Sequence, residues 1–263
     1  ILIRKVNVLK MFISQGILKL ANKFTKLIFN LLSYFLSKSY KRDKNFWIFG
    51  EWFGKKCDDN CLYFANYVAE NHEEIKCAWV TRKDTDVSKL SPKVKVVYFD
   101  TPECNTALKS AAVAVMGQNI YDFSFNGVNK FGGAITINLW HGVPWKKIGH
   151  DHALASSNIF QKIYNYFYDL AFNSKYYLCT SEIYEPIWKT AFNAAKDNII
   201  FSGYPRNSYF HSSDLVNDEK KEFYKKFKLP IDHKIIAYLP TFRDDSLEAY
   251  PLENLMNDRT FVE

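Results

Sequence analysis

Trp140-His141-Gly142-Val143-Pro144-Trp145-Lys146-Lys147-Ile148-Gly149-His150-Asp151 follows an apolar run, 134–139, that reads as a buried strand. A histidine, a glycine, a proline, two lysines and an aspartate thus gather just past a strand's carboxyl end, where ligands bind in open α/β sheets. Gly142 lets the backbone approach a ligand closely, and Pro144 suits the first turn of a helix. Free N–H groups at such a helix start, with Lys146 and Lys147 beside them, favour an anion. A neutral His141 next to that anion is placed to take a proton from a hydroxyl. Taken alone, a His-Gly pair is ordinarily a turn and a Lys-Lys pair a solvated face. The spacing and two later motifs favour the functional reading.

Outward from this stretch the chain alternates short apolar strands with helices. Strands are expected at 46–49, 77–80, 94–99, 112–116, 134–139, 176–179, 198–201 and 234–238. Helices are expected at 62–69, at 101–112 with Thr101 as N-cap, and near 156–171, 181–191 and 218–227. Such alternation implies an α/β fold whose parallel sheet is covered on both faces. The strands form one set up to residue 200, and the remaining ~60 residues are too few to complete a doubly wound domain of about 100. The expected organisation is a basic helical segment at 1–44, a sheet domain at 45–200, and the start of an incomplete second domain at 201–263. The chain begins at Ile1 and ends at Glu263, and both ends are read as cut from something longer.

The charge is concentrated. Residues 1–44 hold ten Lys/Arg against one acid, Asp43, a net of +9; with +7 overall, the other residues carry −2. From 18 to 37, at 100° per residue, Lys19, Lys23, Lys26, Asn30, Ser33 and Ser37 share one helical face. Ile17, Leu20, Phe24, Leu27, Ile28, Leu31 and Phe35 share the other. The uncharged apolar run 27–36 is shorter than the ~20 residues a bilayer needs, and no small-residue cleavage site follows it. The segment reads as an interfacial helix on an anionic membrane surface, with the basic stretch 38–44 as a second contact. The competing reading is a helix packed on the body with its lysines outward. Nucleic acid is not an expected partner, because no aromatic-basic interleaving or binding motif follows. Cys57, Cys61, Cys77, Cys104 and Cys179 are odd in number and scattered, which fits a reducing compartment. Cys57 and Cys61 with His72 lack a second ligand pair at finger spacing, so no metal or other cofactor is expected.

Two further motifs follow strands: Ser202-Gly203-Tyr204-Pro205-Arg206-Asn207 and Leu239-Pro240-Thr241-Phe242-Arg243. Each puts an arginine beside a proline just past a strand end, and arginine makes forked bonds to phosphate oxygens. The alternative is that each pairs with a surface acid such as Asp244 or Asp245. In this order the three motifs, with Trp47-x-Phe-Gly50 through Asp59-Asn60 ahead of them, resemble the CDP-glycerol glycerophosphotransferase family of teichoic-acid primases and polymerases. The resemblance covers roughly residues 45–245. It implies a GT-B-like architecture of two Rossmann-like domains, here an N-terminal acceptor domain and the start of a second one. It also implies transfer of glycerol phosphate, or a related polyol phosphate, from CDP-glycerol to a hydroxyl of a lipid-linked acceptor, with release of CMP at the cytoplasmic membrane face.

Carried over by position, the resemblance makes His141 the general base. Arg206, Asn207, Thr241 and Arg243 become donor-phosphate residues, and Lys146, Lys147 and Asp151 supporting or acceptor-side residues. The family's further Asp-Tyr-Ser-Ser-like motif and second functional histidine are not found after Arg243, and His211 and His233 lie in other contexts. A chain ending at Glu263 is therefore expected to have little or no activity alone. Two alternatives stay open: a GT-B-shaped glycosyltransferase using a nucleotide sugar, and a non-catalytic membrane-docking fragment.

Overall fold

The computed structural model describes residues 21–144, 146–151, 159–211 and 213–232, with the single positions 235 and 237. The described chain falls into two compact units, divided between His211 and Ser212. The first holds a seven-stranded sheet: β1 (Asp43–Gly50), β2 (Lys76–Thr81), β3 (Lys95–Tyr98), β4 (Ala111–Met116), β5 (Ile135–Asn138), β6 (Tyr176–Cys179) and β7 (Ile199–Phe201). The strand order is β3-β2-β1-β4-β5-β6-β7 and every pairing is parallel. The helices are α1 (21–37), α2 (Asp59–Asn71), α3 (Pro102–Ser110), α4 (Ile159–Phe172), α5 (Glu185–Phe192) and, in the second unit, α6 (Ser213–Lys226). This is the expected doubly wound α/β arrangement, and its strand order reverses between β1 and β4.

The period-two alternation of the strands builds two apolar layers. Phe49, Trp79 and Val115 face α2 through Cys61, Leu62, Ala65 and Val68. Ile48, Ala78, Val80, Ala114 and Met116 face α3 through Cys104, Ala107 and Leu108. All five cysteines are free and buried; Cys57 and Cys61 pack into the first layer, where burial pushes the Cys57 thiol up to about 12.

The expected elements and the observed ones part at definite places. The helix expected at 101–112 keeps its Thr101 cap, whose side chain accepts from the Cys104 N–H, but stops at Ser110. Ala111 turns extended (φ −64°, ψ 130°) and pairs with Asp43, so sheet pairing overrides alanine's helix propensity. The helix expected at 181–191 is a 3₁₀ turn, Glu182–Tyr184, followed by α5 with a proline in its first turn. Pro144 opens no helix: residues 141–144 are irregular, and the next regular piece among the described residues is the 3₁₀ turn Gly149–Asp151. The first unit continues beyond residue 200 because the 3₁₀ segment Pro205–His211 packs on α2. The strand expected at 234–238 lies largely outside the described residues.

Helix α1 belongs to the first unit and docks through a mixed face, with Leu27 buried beside the polar Asn30 and Ser37, while Lys23 and Lys26 are exposed. Asn30 and Ser37 are buried: Asn30 Oδ1 accepts the Asn129 N–H at 2.7 Å, and Ser37 Oγ accepts the Gly132 N–H at 2.7 Å. Just after the helix, Arg42 donates to the carbonyls of Leu108, Ala111, Lys130 and Ser37, joining α1 to α3, β4 and the loop before β5. Phe24, Ile28, Phe29, Leu32, Phe35 and Leu36 are exposed, from 45% to 66%. The helix packs on the body with its lysines outward, as in the competing reading, yet much of its apolar surface also stays outward. None of the helices among the described residues is long and apolar enough to cross a membrane.

At the reversal point β1 runs into Glu51, which is fully buried, and β4 runs into Gly117 and Gln118. Asp122, also fully buried, accepts N–H bonds from Phe53 (2.7 Å), Gly117 (3.1 Å), Gln118 (2.7 Å) and Asn119 (3.3 Å), tying the two strand ends together. Only glycine fits at 117, because a Cβ there would lie 1.5 Å from Glu51 Oε1. Burial, with Asp122 nearby, pushes the Glu51 carboxyl up to about 8, and burial pushes Asp122 up to about 6 against those four N–H bonds. Both groups hold protons more tightly folded than unfolded. Their contribution to stability is therefore complete below the ordinary carboxylate range and is lost as pH rises through about 6 and then about 8. Thermal melts at about pH 5 and about pH 9 test this. Glu51→Gln should show a smaller drop in Tm between the two than the parent, and equal drops would refute the role given to Glu51.

Candidate active site

The site is assembled where β1, β4 and β5 end. After β5, Asn138 Oδ1 accepts the Trp140 N–H (2.8 Å) and Asn138 Nδ2 donates to the Gln118 carbonyl (2.8 Å), bringing the 140–142 loop against the end of β4. Trp140 takes a left-handed φ of 54°, uncommon for a bulky residue and of the kind that accumulates at functional sites. Its indole stacks on the His141 imidazole at 4.4 Å between centroids, and Trp52 from the loop after β1 lies 5.7 Å from the same ring. The Gln118 amide lies 3.0 Å from His141 Nδ1. His141 is partly buried, and desolvation lowers its pKa below the ordinary histidine value, against an opposing bond to the Gly117 backbone and the charge of Asp59. Desolvation thereby favours the neutral imidazole, which has one N–H and one lone-pair nitrogen, and both the Gln118 amide and the Gly117 backbone reach the ring.

The amino end of α2 closes the other side. Asn60, fully buried, donates through Nδ2 to the Trp140 carbonyl (2.8 Å) and accepts the Arg206 N–H at Oδ1 (3.3 Å). Arg206 Nη1 reaches Asp59 Oδ1 at 2.5 Å and the His141 carbonyl at 3.0 Å. The 203–207 motif and the 140–151 motif, 65 residues apart at this contact, thus meet on one buried asparagine and one ion pair. Arg206 has an acidic partner, and that partner is Asp59 rather than Asp244 or Asp245.

The remaining expected site residues are scattered. Asp151 accepts from Thr190 Oγ1 of α5 at 2.7 Å, so it anchors the end of the motif to that helix rather than orienting His141 or a lysine. Lys146, Lys147 and Asn207 are exposed. Thr241 and Arg243 lie outside the described residues. The helix start once expected at Pro144 is absent, so an anion would meet side chains here rather than a row of helix N–H groups.

Sequence reasoning passed over Trp52, Gln118 and the supporting acids Glu51 and Asp122. It also missed Asp169, which accepts from His150 Nε2 (2.6 Å), Asn173 Nδ2 (2.9 Å) and Asn193 Nδ2 (2.5 Å). A signal existed for some of them. Glu51 stands immediately after an apolar strand and Gln118 two residues after one, and Asp59-Asn60 ended a segment already matched to the family.

The family model described as CDP-Glycerol:Poly(glycerophosphate) glycerophosphotransferase matches residues 32–263. A teichoic acid glycerol-phosphate transferase of Staphylococcus aureus is 25% identical over 210 residues, covering 77% of this chain and 51% of that protein. A teichoic acid poly(glycerol phosphate) polymerase of Bacillus subtilis is 26% identical over 239 residues, covering 89% of this chain and 31% of that protein. The chain thus spans about half or less of the length of these relatives. A solved structure of the wall teichoic acid polymerase TagF shares the fold at a TM-score of 0.64 and 20% identity, covering 87% of this chain and 58% of that one. With the family model matched across the sheet, the His141 loop and the Arg206 motif alike, the chain belongs to the CDP-glycerol:poly(glycerophosphate) glycerophosphotransferase family.

Proposed function

We propose that this chain carries the acceptor-side half of an enzyme that moves glycerol phosphate from CDP-glycerol to a hydroxyl of a lipid-linked acceptor in teichoic-acid-type polymer synthesis. The observation that carries the reading is His141, neutral, stacked on Trp140 and engaged at Nδ1 by Gln118, at the point where the strand order reverses. His141 takes the acceptor's hydroxyl proton at the ring nitrogen that carries the lone pair. The resulting oxygen bonds to the glycerol-bearing phosphorus as the bond from that phosphorus to CMP breaks, so CMP leaves and the acceptor gains one glycerol phosphate. Arg206, held by Asp59, fixes the His141 loop through its carbonyl. The phosphate-binding role proposed for Thr241 and Arg243 rests on their motif alone.

Assayed together with a donor-binding half, membranes and acceptor, His141→Ala should lower CMP release from CDP-glycerol by about 10²–10⁴-fold while leaving the melting curve in place. Unchanged turnover would exclude the base. In the parent the acidic limb of kcat/KM should fall below 6.5, because a lowered pKa keeps the imidazole neutral further into acid. A limb at or above that value would contradict the environment described for the ring.

We also propose a peripheral position on the cytoplasmic membrane face. The outward apolar side of α1 supports it, together with Lys23, Lys26, Lys38 and Lys41, all exposed, and the exposed Ile163, Tyr166 and Phe167 on neighbouring α4. The two helices touch where Phe24 packs edge-on against Tyr164 at 5.5 Å. Removing residues 1–44 is a poor test, since it deletes Asn30, Ser37, Arg42 and the first residues of β1. Ile28→Glu with Leu32→Glu changes only exposed side chains and should release the protein from anionic vesicles in a flotation assay. Undiminished binding would exclude this face as the anchor.

A further inference from the structure

Beneath the His141 loop lies a carboxyl that no step above uses. Glu51 is fully buried where β1 ends, and its Oε1 has no hydrogen-bond partner among the described residues. Its Oε2 accepts the Cys61 N–H of α2 at 3.3 Å. Oε1 fills the space that a side chain at position 117 would need, so Glu51 is wedged against the end of β4 as well.

Each neighbour of this wedge adjoins a support of His141. Trp52, the next residue in the chain, sets its indole 5.7 Å from the imidazole. Gly117 reaches the ring through its backbone, and Gln118 after it lies 3.0 Å from Nδ1. Asn60, just before Cys61, holds the Trp140 carbonyl at 2.8 Å, and Trp140 stacks on the ring. The turn that aims Trp52 is strained: Trp52, Phe53 and Gly54 take successive left-handed φ angles of 45°, 56° and 69°. The Phe53 N–H is tied to Asp122, and the Gly54 carbonyl accepts the hydroxyls of Thr81 (2.9 Å) and Thr85 (2.7 Å). Such a turn keeps its shape only while its surroundings hold it, and Glu51 stands at its base.

We propose that Glu51 is a positioning residue for His141: protonated, it wedges the ends of β1 and β4 and the start of α2 so that Trp52, Gln118 and Asn60 converge on the ring, and its ionisation releases them. The bearing on turnover rests on the transferase reading above. The groups that face Glu51 are Asp122 from the loop after β4, Asp59 and Cys61 from α2, and Cys57 from the loop before α2. None of these is a cation: two are carboxyls, and burial raises both thiols so that they stay protonated. Arg206 is taken up by Asp59. A carboxylate at 51 would stand in the interior with an unpaired oxygen against two like charges, a state relieved by moving apart or admitting water. Burial, with Asp122 nearby, places that ionisation at about 8, so the wedge is intact below this pH and lost as pH rises through it.

The test reads the ring itself, in the whole chain without donor. The His141 ring proton signals, assigned by their loss in His141→Ala, are followed by NMR from about pH 5 to about pH 9.5. The imidazole titrates below 6.5, so a second step near about 8 reports movement around a ring already neutral. Glu51→Gln keeps the carboxyl's shape without its ionisation and should abolish the second step while leaving the first. Glu51→Ala, which removes the wedge, should displace the signals at every pH; if it fails to fold, Glu51→Gln decides alone. A Glu51 that only stabilises the fold would change Tm in these variants and give no second step. Assayed with a donor-binding half, the parent's kcat/KM should fall about tenfold between about pH 7 and about pH 9, the change in protonated fraction of a group titrating at about 8. That fall should be absent in Glu51→Gln. A single titration in the parent, a second step that survives in Glu51→Gln, or an alkaline fall indifferent to that variant overturns the proposal. A second step without CMP release would sink the transferase reading alone, and CMP release with a single titration the positioning role alone.

Discussion

The carboxyl of Asp122 is the constraint on which the site depends. Four N–H groups from two different strand ends converge on it: Phe53 after β1, and Gly117, Gln118 and Asn119 after β4. These strands adjoin at the reversal of the sheet, where their following loops must part and leave a crevice. Asp122 fixes how far they part. Gly117 is squeezed against Glu51, and Gln118 is carried to His141. Burying two carboxyls costs stability as pH rises, and the structure keeps them where their bonds define the crevice.

The same economy joins the distant motifs. His141 is not held by a carboxylate, as many catalytic histidines are. It rests between two indoles and an amide, while its backbone carbonyl is gripped by Arg206 and the carbonyl before it by Asn60. The arginine that sequence reading assigned to a phosphate thus has a structural position of its own in the first unit. Its charge is paired with Asp59 yet still acts on the imidazole beside it, adding to the lowering of the His141 pKa that burial produces.

Helix α1 shows how a local pattern can be read correctly and still mislead. The helical periodicity was plain, and so was the division into a lysine-rich face and an apolar face. An ordinary surface helix turns its apolar face inward. Here the body offers N–H groups at Asn129 and Gly132 that need acceptors, and Asn30 and Ser37 supply them. The docking side is therefore mixed, with Leu27 and Leu31 beside Asn30 and Ser37, and Phe24, Ile28, Leu32 and Phe35 are left outward. Periodicity reveals that two faces exist; which of them is buried depends on partners about 100 residues away in the chain.

By itself the sequence determined most strands and helices of the first unit and their alternation, because apolar periodicity and capping are local properties of neighbouring residues. It also determined the family, because motif strings keep their order along the chain, and it singled out His141 as the base candidate. Only the tertiary structure decided that α3 stops at Ser110, since Ala111 is claimed by pairing with Asp43. It also decided that Pro144 starts no helix, that Arg206 faces Asp59, that Asp151 serves Thr190, and that Gln118 and Trp52 join His141. These are contacts between segments tens of residues apart, and their energies depend on desolvation and geometry that no local pattern encodes.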